Sequence, residues 1–437
     1  MCPPTAGRTS PRTKSRSHSQ KGITLSTIDP TLEAFIKAEK ERLRHDRFEL
    51  PFSRAEYQQR QANIRARMEQ AGIDLLMVSS PEAIAWLTGH ALRWNKGQSP
   101  TAWAGTQTLA IRVDNDTPIL FETAEHELMI VTRSCIDDYR LSADESLNGT
   151  LDNMFAELKA EGWLRGSVGV ERWSYVPNRA VGSVIEERLT GAGCRVVDAS
   201  LLVRAARRIK SPQELAYIER AAGICDAGLT ALEAAIAPGV TELELWVEMM
   251  RGMVAAGGEP AALHETVAIG PNDLGHAFAG RRALQPGDYV WADPCGVFNH
   301  YHANIATTWY LGDPPPEALR LADIQAGAYD VLADVARDGI AVRDVNHALL
   351  DYYTQAGVWG LHGWTGGYEL GLSFPPDWVG EFVFSLDDPD VDGVFEAGMV
   401  TNYESIVNYG MIDTIVYGTD SSRCLSTRPH RLNVVNV

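Results

Sequence analysis

The sequence predicts an α/β domain carrying a mixed sheet, followed by an α+β domain. Three observations carry this expectation. Strands and helices alternate through about residue 200, the texture changes to a long helix at "RIKSPQELAYIERAAGICDAGLTALEAAI", and strand-like segments with few helices dominate thereafter. A chain of 437 residues is long enough for two sizeable cores. The boundary is placed near residue 205, giving domains over 45–204 and 205–437 behind a disordered basic tail over 1–30.

The tail, "MCPPTAGRTSPRTKSRSHSQKG", has basic residues, Ser and Pro but no acid and no apolar core of a secretory signal. Ser53 and Glu56 then stand at capping-box spacing, with Ile64 and Met68 at helical intervals and Gly72 as the stop. "IDLLMVSS" reads as a buried strand, and "PEAIAWLTG" as a turn and short helix. "TQTLAIRVDNDTPILFET" gives two strands joined by "DND", and "SVGVERWS" and "CRVVDAS" give two more around a helix. In the second domain Ser211 caps the long helix, Pro212 takes its first position and Glu214 completes the capping box. A second helix starts at Thr241 and stops at glycine. "DYVWADPCG", "IATTWYLG", "MVTNYESIVNYG" and "DTIVYG" are the strand-like segments.

Bulk properties narrow the function. The net charge of −18 would repel a phosphate backbone, which argues against nucleic acid, and it is compatible with a small cationic or zwitterionic substrate. No apolar stretch reaches the length of a membrane span. The six cysteines include no C-x-x-C pair, so neither a zinc knuckle nor a disulfide framework is expected, and reduced thiols in a cytoplasm are the default. Cys295 is expected to pack as a small hydrophobe.

The chemistry concentrates in "WADPCGVFNHYHANIATTWYLG". Asp293 ends an apolar run from which a carboxylate can reach a divalent ion, but Asn304 stands eleven residues on, where a second carboxylate would complete the clamp. Strand alternation puts His302 and Asn304 on one face.

"AWLTG", "RIKSPQELAYIERAA", "LQPGDYVWADPCG" and "FEAGMVTNYES", in this order and spacing, resemble the creatinase/prolidase/methionine aminopeptidase superfamily from about residue 50 to the end. The resemblance implies a creatinase-like N-terminal domain and a pita-bread catalytic domain, and it implies a homodimer. It places Asp293 at the first aspartate of the family's two-ion site and Glu404 at the first glutamate. Asn304 replaces the second aspartate, Tyr368 in "GYELGL" falls at the histidine, and Ile412 at the last glutamate; His362 is the competing candidate for the histidine position. Asn, Tyr and Ile cannot supply the ligands such ions need, so no metal and no other cofactor is expected.

His276 in "NDLGHAFAG" matches the catalytic histidine of the superfamily, with proton transfer as the implied role. Two carboxylates without a cation either share a proton or attract a positive substrate. Asp293 is then the nucleophile or base, and Glu404 binds a cationic nitrogen or activates water. His302 is a second acid/base or an anchor for a substrate carboxylate, against the alternative of a structural histidine. Tyr368 is a pocket wall, and Glu381 after "PPDW" lies near the pocket or fixes a turn. Arg93 and Trp94, with Trp86 and His90, line the site from the N-terminal domain or form a packed edge; an aromatic box would suit an onium or amidinium cation.

"GYELGLSFPPDWVGE" and the "YH" before Asn304 resemble the ectoine hydrolase branch, although Asp293 is one methylene shorter than that branch's acidic residue. The expected function is metal-independent hydrolysis of a non-peptide C–N bond (amidine, guanidine or amide) in a small cationic or zwitterionic compound. The alternatives are a lyase on an onium compound such as dimethylsulfoniopropionate, an Xaa-Pro metallopeptidase, and a non-catalytic binding protein.

Overall fold

The computed structural model describes residues 29–44, 50–92, 103–270, 276–361 and 363–436. Residues 1–47 and 48–437 form two units. The first holds helix α1 (Pro30–Arg44) in its described part. The tail expected over 1–30 lies outside the described residues up to residue 28. Its last residue, Pro30, instead opens a helix, a position where its missing N–H costs nothing.

The second unit begins its regular structure with α2 (Arg54–Ala71), capped by the Ser53 side chain on the Glu56 N–H. Glu56 itself turns to Arg60, at 3.1 Å, rather than completing a box. There follow β1 (Leu75–Val78), α3 (Pro81–Thr88), β2 (Thr108–Arg112), β3 (Ile119–Thr123) and α4 (Glu127–Arg133). Then come β4 (Asp138–Ser142), α5 (Leu147–Ala160), β5 (Ser167–Val170), α6 (Arg179–Gly191), β6 (Arg195–Asp198) and α7 (Ser200–Arg207).

The six strands form one sheet, β4-β3-β2-β1-β5-β6, antiparallel at β1–β2 and β2–β3 and parallel elsewhere. Leu76, Val78, Leu109 and Leu120 feed one core, while Leu75, Met77, Ala110 and Phe121 feed the other. A sheet covered on both faces reads as unbroken apolar runs, which is what "LLMV" and "TLAI" are.

The remainder starts with α8 (Pro212–Ala235), with its full capping box at Ser211 and Glu214, and α9 (Glu242–Ala255), with another at Thr241 and Glu244. The strands β7 (Thr266–Ile269), β8 (Tyr289–Asp293), β9 (Cys295–Phe298), β10 (Tyr301–Asn304) and β11 (Thr307–Leu311) come next. Two further helices, α10 (Pro316–Val335) and α11 (Val342–Gln355), interrupt the stretch expected to be mostly strands. In the same core α10 buries Ala318, Ala322, Ala328 and Tyr329, a face rich in alanine, and α11 buries Val342, Val345 and Leu349. The chain ends with β12 (Thr365–Tyr368), β13 (Val383–Ser385), β14 (Val400–Val407), β15 (Tyr409–Tyr417), β16 (Ser422–Cys424) and β17 (Asn433–Val435).

These strands build a four-stranded sheet, β17-β11-β8-β7, and a five-stranded antiparallel sheet, β13-β12-β14-β15-β16, with β9–β10 as a separate hairpin. The sheets meet where Ala306 and Ile412 bridge. The pairs α8–α9 and α10–α11 serve two separate cores. No helix among the described residues is long and apolar enough to cross a membrane.

Candidate active site

Asp293 is the last residue of β8, paired with Thr266 of β7. The hairpin that follows brings Asn304 back beside it. Its two-residue turn, Asn299 and His300, has φ of 49° and 64°, the left-handed pair that matches strand twist in a tight hairpin. Glycine is required at 296, since a Cβ there would lie 1.9 Å from the Ala221 carbonyl oxygen of α8. From the other sheet, Asn402 and Glu404 lie two apart on β14 and so share a face. A Cβ at Gly367 would lie 2.2 Å from the Asn402 carbonyl oxygen, so β12 needs glycine to bring Tyr368 up to β14.

Four side chains then join in a line. Asn304 Nδ2 donates to Asp293 Oδ1 at 2.7 Å and to the Pro294 carbonyl at 3.1 Å. Asn402 Nδ2 donates to Asn304 Oδ1 at 3.0 Å and to Glu404 Oε1 at 2.8 Å. Both amide orientations are fixed by backbone groups: the Pro294 carbonyl can only accept, and the Tyr368 N–H can only donate, to Asn402 Oδ1 at 2.8 Å. Both amides are completely buried. The two acids are thus connected through a pair of amides, with an N–H presented to each.

Burial pushes the Asp293 carboxyl up to about 6, against the pull of the Asn304 hydrogen bond and the charge of His276. Burial, and then the charge of Asp293, pushes Glu404 up to about 8, against hydrogen bonds from Asn402 and Tyr368. Apart from the Asp293 charge on Glu404, the groups among the described residues that act on the two acids are amides, a phenol and an imidazole, with no ammonium or guanidinium among them. Near neutrality the pair therefore holds one proton, mostly on Glu404. Trp378 Nε1 donates to the Tyr368 hydroxyl at 3.0 Å, leaving the phenol proton for Glu404. His276 is exposed, immediately after residues 271–275, which lie outside the described residues.

The donor set does not fit the two-ion centre of metallopeptidases. The Asn304 amide turns its N–H, not a lone pair, toward Asp293. Ile412, which the resemblance sets at the last glutamate, faces Glu404 across the β14–β15 ladder and packs with Trp291 and Ala306. Tyr368 is held neutral, since burial and the neighbouring acids raise its hydroxyl well above the usual range. Neutral amide, phenol and alkyl groups do not balance two divalent charges.

Not every expected residue joins this constellation. His302 is buried with both ring nitrogens occupied: Nε2 accepts from the Ala262 N–H at 3.0 Å and Nδ1 donates to the His300 carbonyl at 2.9 Å. Burial lowers it to about 4, so it is a neutral clamp on the hairpin rather than an acid/base or a carboxylate anchor. Glu381 pairs with Arg204 at 2.8 Å and lines a cavity of about 330 Å³ with Arg207 and Lys210, apart from Asp293 and Glu404. Trp86 is committed to the Glu214 carboxylate at 2.8 Å. Arg93, Trp94 and His362 lie outside the described residues. Asn402 and Trp378 were not anticipated. Asn402 carries a signal, standing two residues before Glu404 on a strand, and Trp378 ends "PPDW".

Known proteins carry the same architecture. The profile of metallopeptidase family M24 matches residues 216–418, and that of the creatinase/prolidase N-terminal domain matches residues 60–209. An ectoine hydrolase of Halomonas elongata is 28% identical over 375 residues, covering 81% of this chain and 90% of that protein. An uncharacterised hydrolase/peptidase of Sinorhizobium fredii is 27% identical over 362 residues, covering 80% and 88%. Among solved structures, a dipeptidase of Pyrococcus horikoshii superposes with a TM-score of 0.72 at 20% identity, covering 86% of this chain and 100% of that one. The Xaa-Pro dipeptidase of Bacillus anthracis gives 0.72 at 19%, covering 87% and 100%. At such identities the structural likeness speaks for the fold alone. With both halves matched in order, the chain belongs to the creatinase/prolidase/methionine aminopeptidase superfamily, with a creatinase-like N-terminal domain ahead of a pita-bread catalytic domain.

Proposed function

We propose that this protein is a metal-independent hydrolase of a non-peptide C–N bond in a small cationic or zwitterionic compound, of the amidine, guanidine or amide class. The observation that carries the reading is the line Asp293–Asn304–Asn402–Glu404, in which two amides stand between two acids. The likeness to an ectoine hydrolase over most of both chains supports the substrate class.

Asp293, the more acidic member, is ionised near neutrality and has one oxygen tied to Asn304, so it takes a proton from the attacking water. Its short side chain and that tether favour the role of base over that of nucleophile. Glu404, protonated at the same pH, donates to the departing nitrogen. Water thereby adds hydroxide to the carbon and its proton to Asp293; the C–N bond breaks as nitrogen takes the Glu404 proton. His276, exposed and electrostatically linked to Asp293, carries the proton that resets the pair. A positive substrate is stabilised because, among the described residues, no ammonium or guanidinium acts on either acid and only the His276 charge bears on Asp293.

The test is product analysis on chelator-treated protein supplied in turn with ectoine, creatine, dimethylsulfoniopropionate and an Xaa-Pro dipeptide. The expected result is opened amidine, amine or ammonia, formed at the same rate with and without chelator. Dipeptide cleavage that appears only on adding manganese or cobalt would replace this reading with the metallopeptidase one, and an alkene product would replace it with the lyase.

A further inference from the structure

Asp413 follows Ile412 on β15 and therefore points to the opposite side of the sheet from the acid pair. There it meets Cys424, on the neighbouring strand β16, and His430, six residues further on. The donor atoms of these three side chains lie within 4.8 Å of one another, and among the described residues no other group of three such side chains does so. His430 Nε2 is 2.8 Å from Asp413 Oδ2. The thiol of Cys424 hydrogen-bonds the same carboxylate, and the acids Asp413 and Asp330 are the charges that bear on it.

The surroundings hold these donors in place. Asp413 is fully buried, and its other oxygen, Oδ1, accepts from the Ser426 N–H at 3.0 Å and the Leu425 N–H at 3.3 Å. That leaves Oδ2 directed at the cluster. The His430 ring stacks on Tyr329 of α10, with centroids 3.8 Å apart and planes at 13°. Tyr329 is in turn anchored through its hydroxyl to the Tyr403 and Met411 carbonyls. Outer contacts that lock an imidazole and a carboxylate are a familiar support of metal ligands. Cys424 and His430 are partly exposed, so an ion has an entry path.

We propose that Asp413, Cys424 and His430 form a mononuclear site for a borderline-soft divalent cation of the zinc type, separate from the acid pair and independent of the function assigned to it. The donor chemistry selects the ion. One thiolate, one imidazole nitrogen and one carboxylate oxygen suit zinc or cobalt rather than magnesium or calcium, and the two anionic ligands balance a dication. Binding releases the Cys424 thiol proton to solvent. The imidazole stays neutral and ligates through Nε2, its proton moving to Nδ1. Three protein ligands leave the fourth tetrahedral position for water. The arrangement does not suit a cysteine nucleophile with a histidine base, because the thiol and the imidazole each hydrogen-bond the carboxylate.

The experiment uses the full chain, stripped with chelator and titrated with cobalt(II), which reports a thiolate ligand by its near-ultraviolet charge-transfer band. One equivalent bound per chain with that band is expected in the parent protein and in Asp293→Asn. In Cys424→Ser the band is lost, and in both Cys424→Ser and His430→Gln affinity falls by about a hundredfold or more. Thermal melts accompany each variant, and His430→Gln serves if Cys424→Ser does not fold. No band in the parent, a band that survives Cys424→Ser, or binding abolished by Asp293→Asn would each overturn the proposal.

Discussion

Tyr368 and Glu369 are adjacent in sequence, yet they face two acidic regions that behave in opposite ways. On one side Tyr368 touches the Asp293–Glu404 pair, where both acids are pushed above the usual carboxylate range. On the other side Glu369 meets Lys210 Nζ at 2.6 Å. Burial alone would raise Glu369 too, but the charge and hydrogen bond of Lys210, helped by the Arg207 charge and the Phe382 N–H, more than offset it, and the group ends below the usual range. Burial is common to both regions, so what separates them is the neighbour: an ammonium offsets burial at Glu369, whereas at the pair burial prevails and the Asp293 charge raises Glu404 further. A carboxylate tied to a buried ammonium is a structural joint, whereas an acid that no ammonium or guanidinium among the described residues touches keeps a proton it can exchange.

The largest effect that tests this contrast is on turnover. On the proposed chemistry, Asp293→Asn removes the base and lowers kcat by about 10³-fold, within the range for loss of a general base, with an unchanged circular dichroism spectrum. A rate within a few-fold of the parent would remove Asp293 from the mechanism. Next is Lys210→Met, which leaves the Glu369 charge buried without its partner and costs about 3–5 kcal/mol in urea unfolding at pH 7. Loss of less than about 1 kcal/mol would mean that the joint is not held by this pair.

Glu404→Gln has the opposite sign. Because the folded-state value of about 8 lies above the unfolded one, the folded protein binds more protons between roughly pH 4.5 and 8, and stability falls as pH rises through that window. The variant is spared this loss, so it unfolds on the order of 2–4 kcal/mol later than the parent at pH 9 and equally at pH 4. For Glu369, with its depressed value, stability is present above the unfolded range and is lost as pH falls. The smallest effect is a profile: kcat/KM peaks between limbs near 6 and 8, which belong to the pair as a unit. Tyr368→Phe removes a hydrogen bond to the ionised Glu404 carboxylate, and so moves the upper limb further up by about one unit, the size expected for a single charge-assisted hydrogen bond.

How much of this was legible in the sequence follows from the range of the forces involved. The caps at Ser211 and Thr241, and the strands around Asp293 and Glu404, are local and were readable from a few residues. Helix α10 was not, because its buried face is largely alanine and carries little hydropathy contrast. The acids could be named from motif position, but the amide line depends on which way Asn304 and Asn402 turn. That is set by the Pro294 carbonyl and the Tyr368 N–H, partners that only the packed sheets bring together. His302 misled for the same reason: its strand face was correct, but the Ala262 N–H that occupies its ring comes from a loop forty residues away.

The backbone-locked amides also constrain how this protein could change. Turning Asn304 into aspartate would set a third negative group among acids that already resist ionising, while Ile412 and Tyr368 still withheld the remaining ligands. Each single step toward an ion-holding centre is thus a loss before it is a gain, and three positions would have to move together. The geometry works as a ratchet, and directed evolution toward peptidase activity should begin from combined libraries at 304, 368 and 412 rather than from stepwise reversion.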